Sequence, residues 1–293
     1  MTSPPRPGTL ARRPYGRARL PLSIVGFGGI VVMNATPEHA AQTVARAVER
    51  GVNYFDVAPS YGNAEERLGP ALAPYRKNCF LACKTGKRDA AGARAELEAS
   101  LAALKTDYFD LYQLHALTDL AKDVDAVFAQ GGAMETLAAA RQSGQVRHLG
   151  FSAHSVPAAL SALDRFDFDS ILFPINFATY HQGQFGPTVV ARAREKGVSI
   201  LALKALARQQ WPEDAPERPQ YSKCWYQPLT DPHQCDLALR FTLSQPVTAA
   251  VPPGEEELFW RAVEIACHFQ PLSEAEQREV AALAAGLAPV FRA

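Results

Sequence analysis

The sequence predicts an α/β fold, a (β/α)8 TIM barrel, on three observations. From residue 22 onward, short apolar segments alternate with amphipathic helical segments about every 30 residues, the rhythm of repeated βαβ units and a parallel sheet. The apolar segments number eight, the barrel number. No low-complexity linker divides them, so residues 1–293 read as one barrel domain with a short basic N-terminal extension and a C-terminal helix.

The strands are predicted over 22–27, 54–57, 80–84, 111–115, 146–151, 171–175, 198–203 and 247–251. Thr36 can cap the first helix with Pro37 at its first position, and Gly51 follows its end. Leu97, Leu101 and Leu104 recur at i, i+4, i+7 and turn one apolar face of the third helix toward the sheet. Gly144 and Gly197 end the helices before strands five and seven. Ser273 and Glu276 form a capping box for a last helix packed outside or below the barrel. The segment 207–230 departs from this economy. It carries Pro212, Pro216, Pro219 and Pro228 with Trp211, Tyr221, Trp225 and Tyr226, and reads equally as a lid or a structural insertion.

Composition narrows the function classes. With 293 residues, 47% hydrophobic and 20% charged, the chain can bury a large core, which argues against disorder. Thirty basic residues balance thirty acidic ones, so no long-range field favours nucleic acid or an anionic membrane. The five cysteines, odd in number, include no CxxC pair, which argues against a disulfide framework, a zinc site or a cysteine-bound cluster and fits reduced thiols in a cytoplasmic protein; no metal is expected. Arg6, Arg12, Arg13, Arg17 and Arg19 precede an apolar run, 20–33, in the manner of a secretory signal. Pro21, Ser23, Gly26, Gly28 and Gly29 weaken that run as a helix, its alternation suits a strand, and it is too short to span a bilayer.

A parallel barrel gathers the C-terminal ends of its strands, with the loops that follow, around one mouth where such enzymes hold their active sites. Strand two runs into Asp56 with Tyr61 just beyond, strand three ends at Lys84 and strand four at His115. The set suits proton management: a phenol near pKa ~10 becomes more acidic beside an ammonium. Tyr61 would then be a general acid, Asp56 would hold Lys84 charged, and neutral His115 would orient the substrate oxygen. Taken singly, Asp56 also reads as a turn residue, Tyr61 as packing, Lys84 as a solvated charge and His115 as a core histidine. Their joint placement at successive strand ends favours chemistry.

The stretches VGFGG, GVNYFDVAPSYGNAEERLG, FLACKTG, DYFDLYQLH, GQVRHLGFS and DLALRFTLSQPVTAAVPPG, in this order, resemble the aldo-keto reductase family over residues 15–268. By that resemblance Asp56, Tyr61, Lys84 and His115 fall on the family's catalytic tetrad. It implies a barrel that binds NADPH or NADH in extended form across its mouth, and hydride transfer to or from a small aldehyde, ketone or sugar. Consistently, GFGGIV places Val31 where the Rossmann fingerprint needs a third glycine. Gly28 and Gly29, with Gly26, either let the backbone approach a ligand or simply turn the chain.

The resemblance also implies that Ser152 binds the nicotinamide carboxamide and that Asn176 lies beside the ring; both read otherwise as strand-end caps. Three departures follow. Ser152 is succeeded by Ala153 and His154 rather than asparagine, with His154 a replacement contact or a surface residue. Leu203 stands where the family stacks a tyrosine on the nicotinamide, and Lys204 reads as a contact to pyrophosphate or substrate, or as an exposed structural lysine. After strand eight, Pro253 and Gly254 lead into Glu255, Glu256 and Glu257, which would repel a 2′-phosphate. Glu257 could accept from a ribose diol, so the reading leans to NADH, with Arg261 one turn later leaving the matter open and a plain helix first turn as the alternative.

Ile30, Met33, Trp225 and Tyr226 are expected to wall the substrate pocket. The expected partner is a small carbonyl or alcohol, without nucleic acid or membrane. Two other functions compete: a nucleotide-binding redox sensor or regulatory subunit, and a Schiff-base lyase using Lys84.

Overall fold

The computed structural model describes residues 8–293; Arg6, in the basic extension, lies outside them. Eight strands form one parallel sheet in sequential order: β1 Phe27–Gly28, β2 Tyr54–Asp56, β3 Phe80–Thr85, β4 Phe109–Leu117, β5 Val146–Ala153, β6 Ser170–Pro174, β7 Ser199–Leu203 and β8 Ala249–Val251. The sheet closes where Val25 bridges Ala250: the Gly26 N–H donates to the Ala250 carbonyl, and the Ala250 N–H to the Ile24 carbonyl, each at 2.9 Å. This is the (β/α)8 barrel the alternation predicts, with β3 buried along its whole length, as a strand covered on both faces must be.

The first predicted strand, 22–27, is corrected. Its residues divide between a barrel strand beginning at Phe27 and an antiparallel hairpin, Arg12–Tyr15 with Leu20–Ser23, beneath the barrel. The open N-terminal end of a barrel exposes interior apolar side chains, and the hairpin covers them. Tyr15 and Leu22 join Tyr54, Phe80, Leu172 and Leu201 in the interior cluster. The Tyr15 hydroxyl donates to Ser170 Oγ at 3.0 Å. Arg13 clamps the hairpin by donating to the carbonyls of Val247 and Leu243 at 2.8 and 2.7 Å.

The helix punctuation matches the sequence. Thr36 Oγ1 accepts from the His39 N–H at the start of helix Pro37–Glu49, and Gly51 follows its end at φ +89°. Leu97 and Leu104 are buried and Leu101 half-buried. Gly144 and Gly197 are left-handed at φ +83° and +67°. Ser273 and Glu276 cap helix Glu274–Ala284 reciprocally, and that helix packs outside the barrel against helices Phe177–Gln182 and Pro232–Ser244. The segment 207–230 contains a short antiparallel pair, Ala207–Gln209 with Gln227–Pro228. Among the described residues no helix is long and apolar enough to cross a membrane.

Candidate active site

Lys84 is fully buried at the end of β3, where its Nζ donates to Asp56 Oδ2 at 2.5 Å and to the Val57 carbonyl at 3.0 Å. Asp56 Oδ1 accepts from Gln113 Nε2 at 3.1 Å and from the Tyr54 hydroxyl at 3.3 Å. Burial works against the lysine's charge, but the Asp56 carboxylate, held by these donors, outweighs it and raises the Lys84 pKa. The pairing favours the charged ammonium, which argues against the lyase reading: an amine that keeps its proton is no nucleophile.

Tyr61 and His115 complete the cluster. Lys84 Nζ lies 5.1 Å from the Tyr61 ring centroid, and the Tyr61 and His115 rings meet edge to face at 5.9 Å. Burial raises the Tyr61 pKa more than Lys84 lowers it, so the sequence expectation of a net more acidic phenol is reversed. His115 is lowered to about 3, first by burial and then by Lys84, His154, Arg88 and Lys204, which leaves a neutral imidazole at ordinary pH.

What aims His115 is a break in the strand ladder. The register of β4 on β5 shifts between Leu114 and Leu117, and Ala116 takes φ +55°. An irregularity of this kind re-aims a strand-end side chain. Ser152 Oγ accepts the Ala116 N–H at 2.7 Å, while the Arg88 guanidinium donates to the carbonyls of His115 and Ala116 at 2.9 and 3.2 Å. One lone pair of Ser152 is therefore engaged in holding the bulge, and its own O–H is left to donate.

A second non-glycine residue in the left-handed region lies at the end of β7, where Lys204 has φ +66°. Its carbonyl accepts from Asn176 Nδ2 at 3.0 Å and from the Ala207 N–H at 2.8 Å. Asn176 is fully buried, and its Oδ1 caps helix Phe177–Gln182 by accepting the Thr179 N–H at 2.8 Å. Asn176 is thus occupied as a cap, the structural alternative the sequence left open, and does not line the cavity described next.

These groups face one cavity of about 170 Å³. Asp56, Tyr61, Lys84 and His115 form one side; Ser152, His154, Leu203 and Lys204 continue it; Gly28, Ile30 and Gly254 border the rest. Such a volume is below the range of about 300–1,000 Å³ that holds drug-sized ligands, so it takes a small molecule or one end of a longer one. Trp225 and Tyr226 also line it, whereas Met33 does not. A Cβ on Gly254 would overlap the Ile30 side chain, and one on Gly28 would come 3.2 Å from Val251 Cγ1. Gly29 differs: a Cβ there would press on Val57 Cγ2 at 2.6 Å, so it serves packing and does not border the cavity.

The three carboxylates that follow β8 lie apart from the cavity lining. Glu257 is exposed and pairs with Arg261 at 2.8 Å; Glu256 pairs with His39 at 2.6 Å; Glu255 Oε1 accepts the Lys223 N–H at 2.7 Å.

Sequence reasoning missed several participants. Gln113 and Tyr54 fix Asp56, Arg88 fixes the bulge, and Lys223 ties the long segment down through Glu255 and the Val31 carbonyl. His154 is no surface histidine: its Nε2 is buried without a partner, and its ring stacks on Phe291 at 5.0 Å. Gln113 carried a signal, as a lone amide in the apolar run of β4, and the others are brought in by folding alone.

The donor set tests the cofactor implied by the resemblance. The free hydroxyl proton of Ser152 and close glycine backbone at Gly28 and Gly254 fit a ligand with amide and phosphate acceptors. The model of the aldo/keto reductase family matches residues 25–223. Among curated proteins the chain is 31% identical over 157 residues to the uncharacterized oxidoreductase YqkF of Bacillus subtilis, covering 49% of each chain. It is 27% identical over 222 residues to L-galactose dehydrogenase of Arabidopsis thaliana, covering 70% of this chain and 68% of that one. The first of these matches thus spans about half the relative's length. In fold, the chain superposes on an aldo-keto reductase of Bacillus halodurans in its holo form with a TM-score of 0.74 at 23% identity, covering 95% of this chain and 98% of the other. The family match over residues 25–223, on a closed parallel barrel, makes this chain a member of the aldo/keto reductase family.

Proposed function

We propose that the protein is an NAD(P)H-dependent oxidoreductase acting on a small aldehyde, ketone or sugar, with Tyr61 as general acid in reduction and general base in oxidation. The observation that carries this is the clamped Lys84 ammonium, between Asp56 and Val57, beside the Tyr61 ring in the cavity that His115 also lines. At neutral pH the half-buried phenol, its pKa raised, is protonated and is a proton donor. As its proton leaves, the phenolate forms next to a fixed positive charge that needs no reorganisation to stabilise it. Neutral His115 donates one hydrogen bond to the substrate oxygen and so orients the carbonyl. When bound, the reduced nicotinamide supplies the hydride to the carbonyl carbon.

Gly28, Ser152, Leu203 and Gly254 would hold the nicotinamide end, Ser152 by its free O–H and Leu203 by an apolar face. Glu257, with its neighbours, would meet the adenosine ribose. NADH is the preferred donor in this reading: three consecutive carboxylates follow β8, and Arg261 is engaged with Glu257.

Initial rates of NADH and NADPH oxidation across a panel of small carbonyls test the proposal. Tyr61→Phe is expected to lower kcat by roughly 10²–10⁴-fold while leaving cofactor binding intact. Unchanged turnover in that variant would remove Tyr61 from its role, and nucleotide binding with no turnover on any carbonyl would leave the sensor reading. Equal or tighter binding of NADPH in a fluorescence titration would overturn the NADH preference.

A further inference from the structure

The cavity carries more positive charge than its chemistry accounts for. Asp56 is its one lining carboxylate among the described residues, and it is engaged with Lys84. Of the other lining lysines, Lys223 donates from Nζ to the Val31 carbonyl at 2.7 Å and faces Glu255 and Glu256. Lys204 has no acceptor for its amine among the described residues. Its Nζ sits 4.9 Å from the Trp225 ring centroid and 4.6 Å from that of Tyr226. Ring faces attract a cation but do not neutralise it.

The backbone puts this amine there deliberately. A left-handed lysine is unfavourable by about 1–2 kcal/mol, and Asn176 and Ala207 hold it so through the Lys204 carbonyl. A second polar atom faces the same space: His154 Nε2, buried and unpartnered on a ring fixed by stacking against Phe291; it donates in the tautomer that carries its proton there.

We propose that Lys204 and His154 form an anion subsite that receives the carboxylate of the substrate, so that the preferred substrates are short oxo acids or the corresponding hydroxy acids. This rests on the oxidoreductase reading above. The dinucleotide's phosphates share the same chemistry, but the geometry favours a substrate group. Lys204 and His154 line the same small cavity as Tyr61 and His115, so a carbonyl at Tyr61 and a carboxylate at Lys204 fit one short molecule.

The groups facing Lys204 are Lys84 from β3, His115 from β4, His154 beyond β5, and Lys223, Cys224 and Tyr226 from the long segment. Burial lowers its pKa to about 8, with Lys84 adding to the fall and Cys224 opposing it. Binding an anion requires the protonated amine, so oxo-acid selectivity is lost as pH rises above about 8.

The test compares kcat/KM for 4-oxobutanoate and butanal, a pair differing in the carboxylate, in the wild type and in Lys204→Met, with the NADH dissociation constant measured for both. We expect the oxo acid to be preferred, and Lys204→Met to lower the oxo-acid to aldehyde ratio by roughly 10- to 100-fold, the loss of one buried charge-assisted hydrogen bond. His154→Phe is expected to lower that ratio in the same direction. An unchanged ratio with weakened NADH binding would assign the lysine to cofactor phosphate and overturn the proposal, as would equal losses for both substrates. Succinate binding, read by tryptophan fluorescence, separates this inference from the reading beneath it: Lys204-dependent binding without turnover of any carbonyl keeps the subsite and sinks the reductase. Turnover with no succinate binding and no preference for the oxo acid does the reverse.

Discussion

Asn176 Nδ2 donates to the main-chain carbonyl of Lys204 at 3.0 Å, joining the end of β6 to a left-handed residue at the end of β7. A single amide thereby both caps a helix and fixes the direction of a cavity lysine. Asn176→Ala should cost about 1–3 kcal/mol, from a lost cap and a lost buried hydrogen bond, measurable by urea unfolding. It should also erode oxo-acid selectivity, and a variant that lost stability alone would separate the two roles.

The buried Lys84–Asp56 pair predicts a non-additive response. Removing one partner leaves an uncompensated buried charge, so Lys84→Met should destabilise the fold by about 3–5 kcal/mol and abolish turnover. The double variant Asp56→Asn with Lys84→Met should recover much of the stability and none of the activity. Denaturant midpoints of the four proteins in that cycle, with rates on a common carbonyl, check both halves.

Ser152 and Ala116 make a second strand-end pair. Ser152→Ala leaves the Ala116 N–H without its acceptor, at a cost of about 1–3 kcal/mol, and should lower kcat by letting His115 shift. Ala116→Gly should be neutral or stabilising by up to about 1 kcal/mol, because glycine adopts φ +55° without penalty. The thermal midpoint should fall in Ser152→Ala and stay level or rise in Ala116→Gly.

Acid stability follows from the two cavity histidines. Burial lowers His115 to about 3 and His154 to about 4, against an ordinary value of 6.5. Below 6.5 the unfolded chain takes up protons that the folded chain refuses. Stability is therefore fully present above that pH and falls as pH drops from about 6.5 toward 4 and then 3, by up to about 1.4 kcal/mol per pH unit for each histidine. His154→Phe should flatten the upper part of that fall, as read from urea midpoints at pH 7.5 and pH 5.

The long segment is pinned at Lys223, whose N–H meets Glu255 Oε1 and whose amine meets the Val31 carbonyl, both at 2.7 Å. Glu255→Ala should loosen residues 210–226, increasing tryptic cleavage at Lys223 and the dissociation rate of a bound dinucleotide. Unaltered proteolysis and off-rate would make the segment a fixed insertion and no lid.

The alternation of apolar and amphipathic segments, the cap residues Thr36 and Ser273 and the left-handed glycines 144 and 197 determine the eightfold barrel locally, because each depends on neighbours a few residues apart. The strand-end placement of Asp56, Tyr61, Lys84 and His115 follows from the same periodicity. What only the tertiary structure decides is how those ends are held and charged. The hairpin displaced the expected first strand because an open barrel end must be covered, and no local pattern encodes that need. Gln113, Tyr54 and Arg88 reach the site across other strands. Burial, a property of the assembled barrel, turns the Tyr61 pKa shift upward and keeps His115 neutral, and the packing brings no carboxylate of the described residues to Lys204, because the free energy of a charge depends on what surrounds it in space.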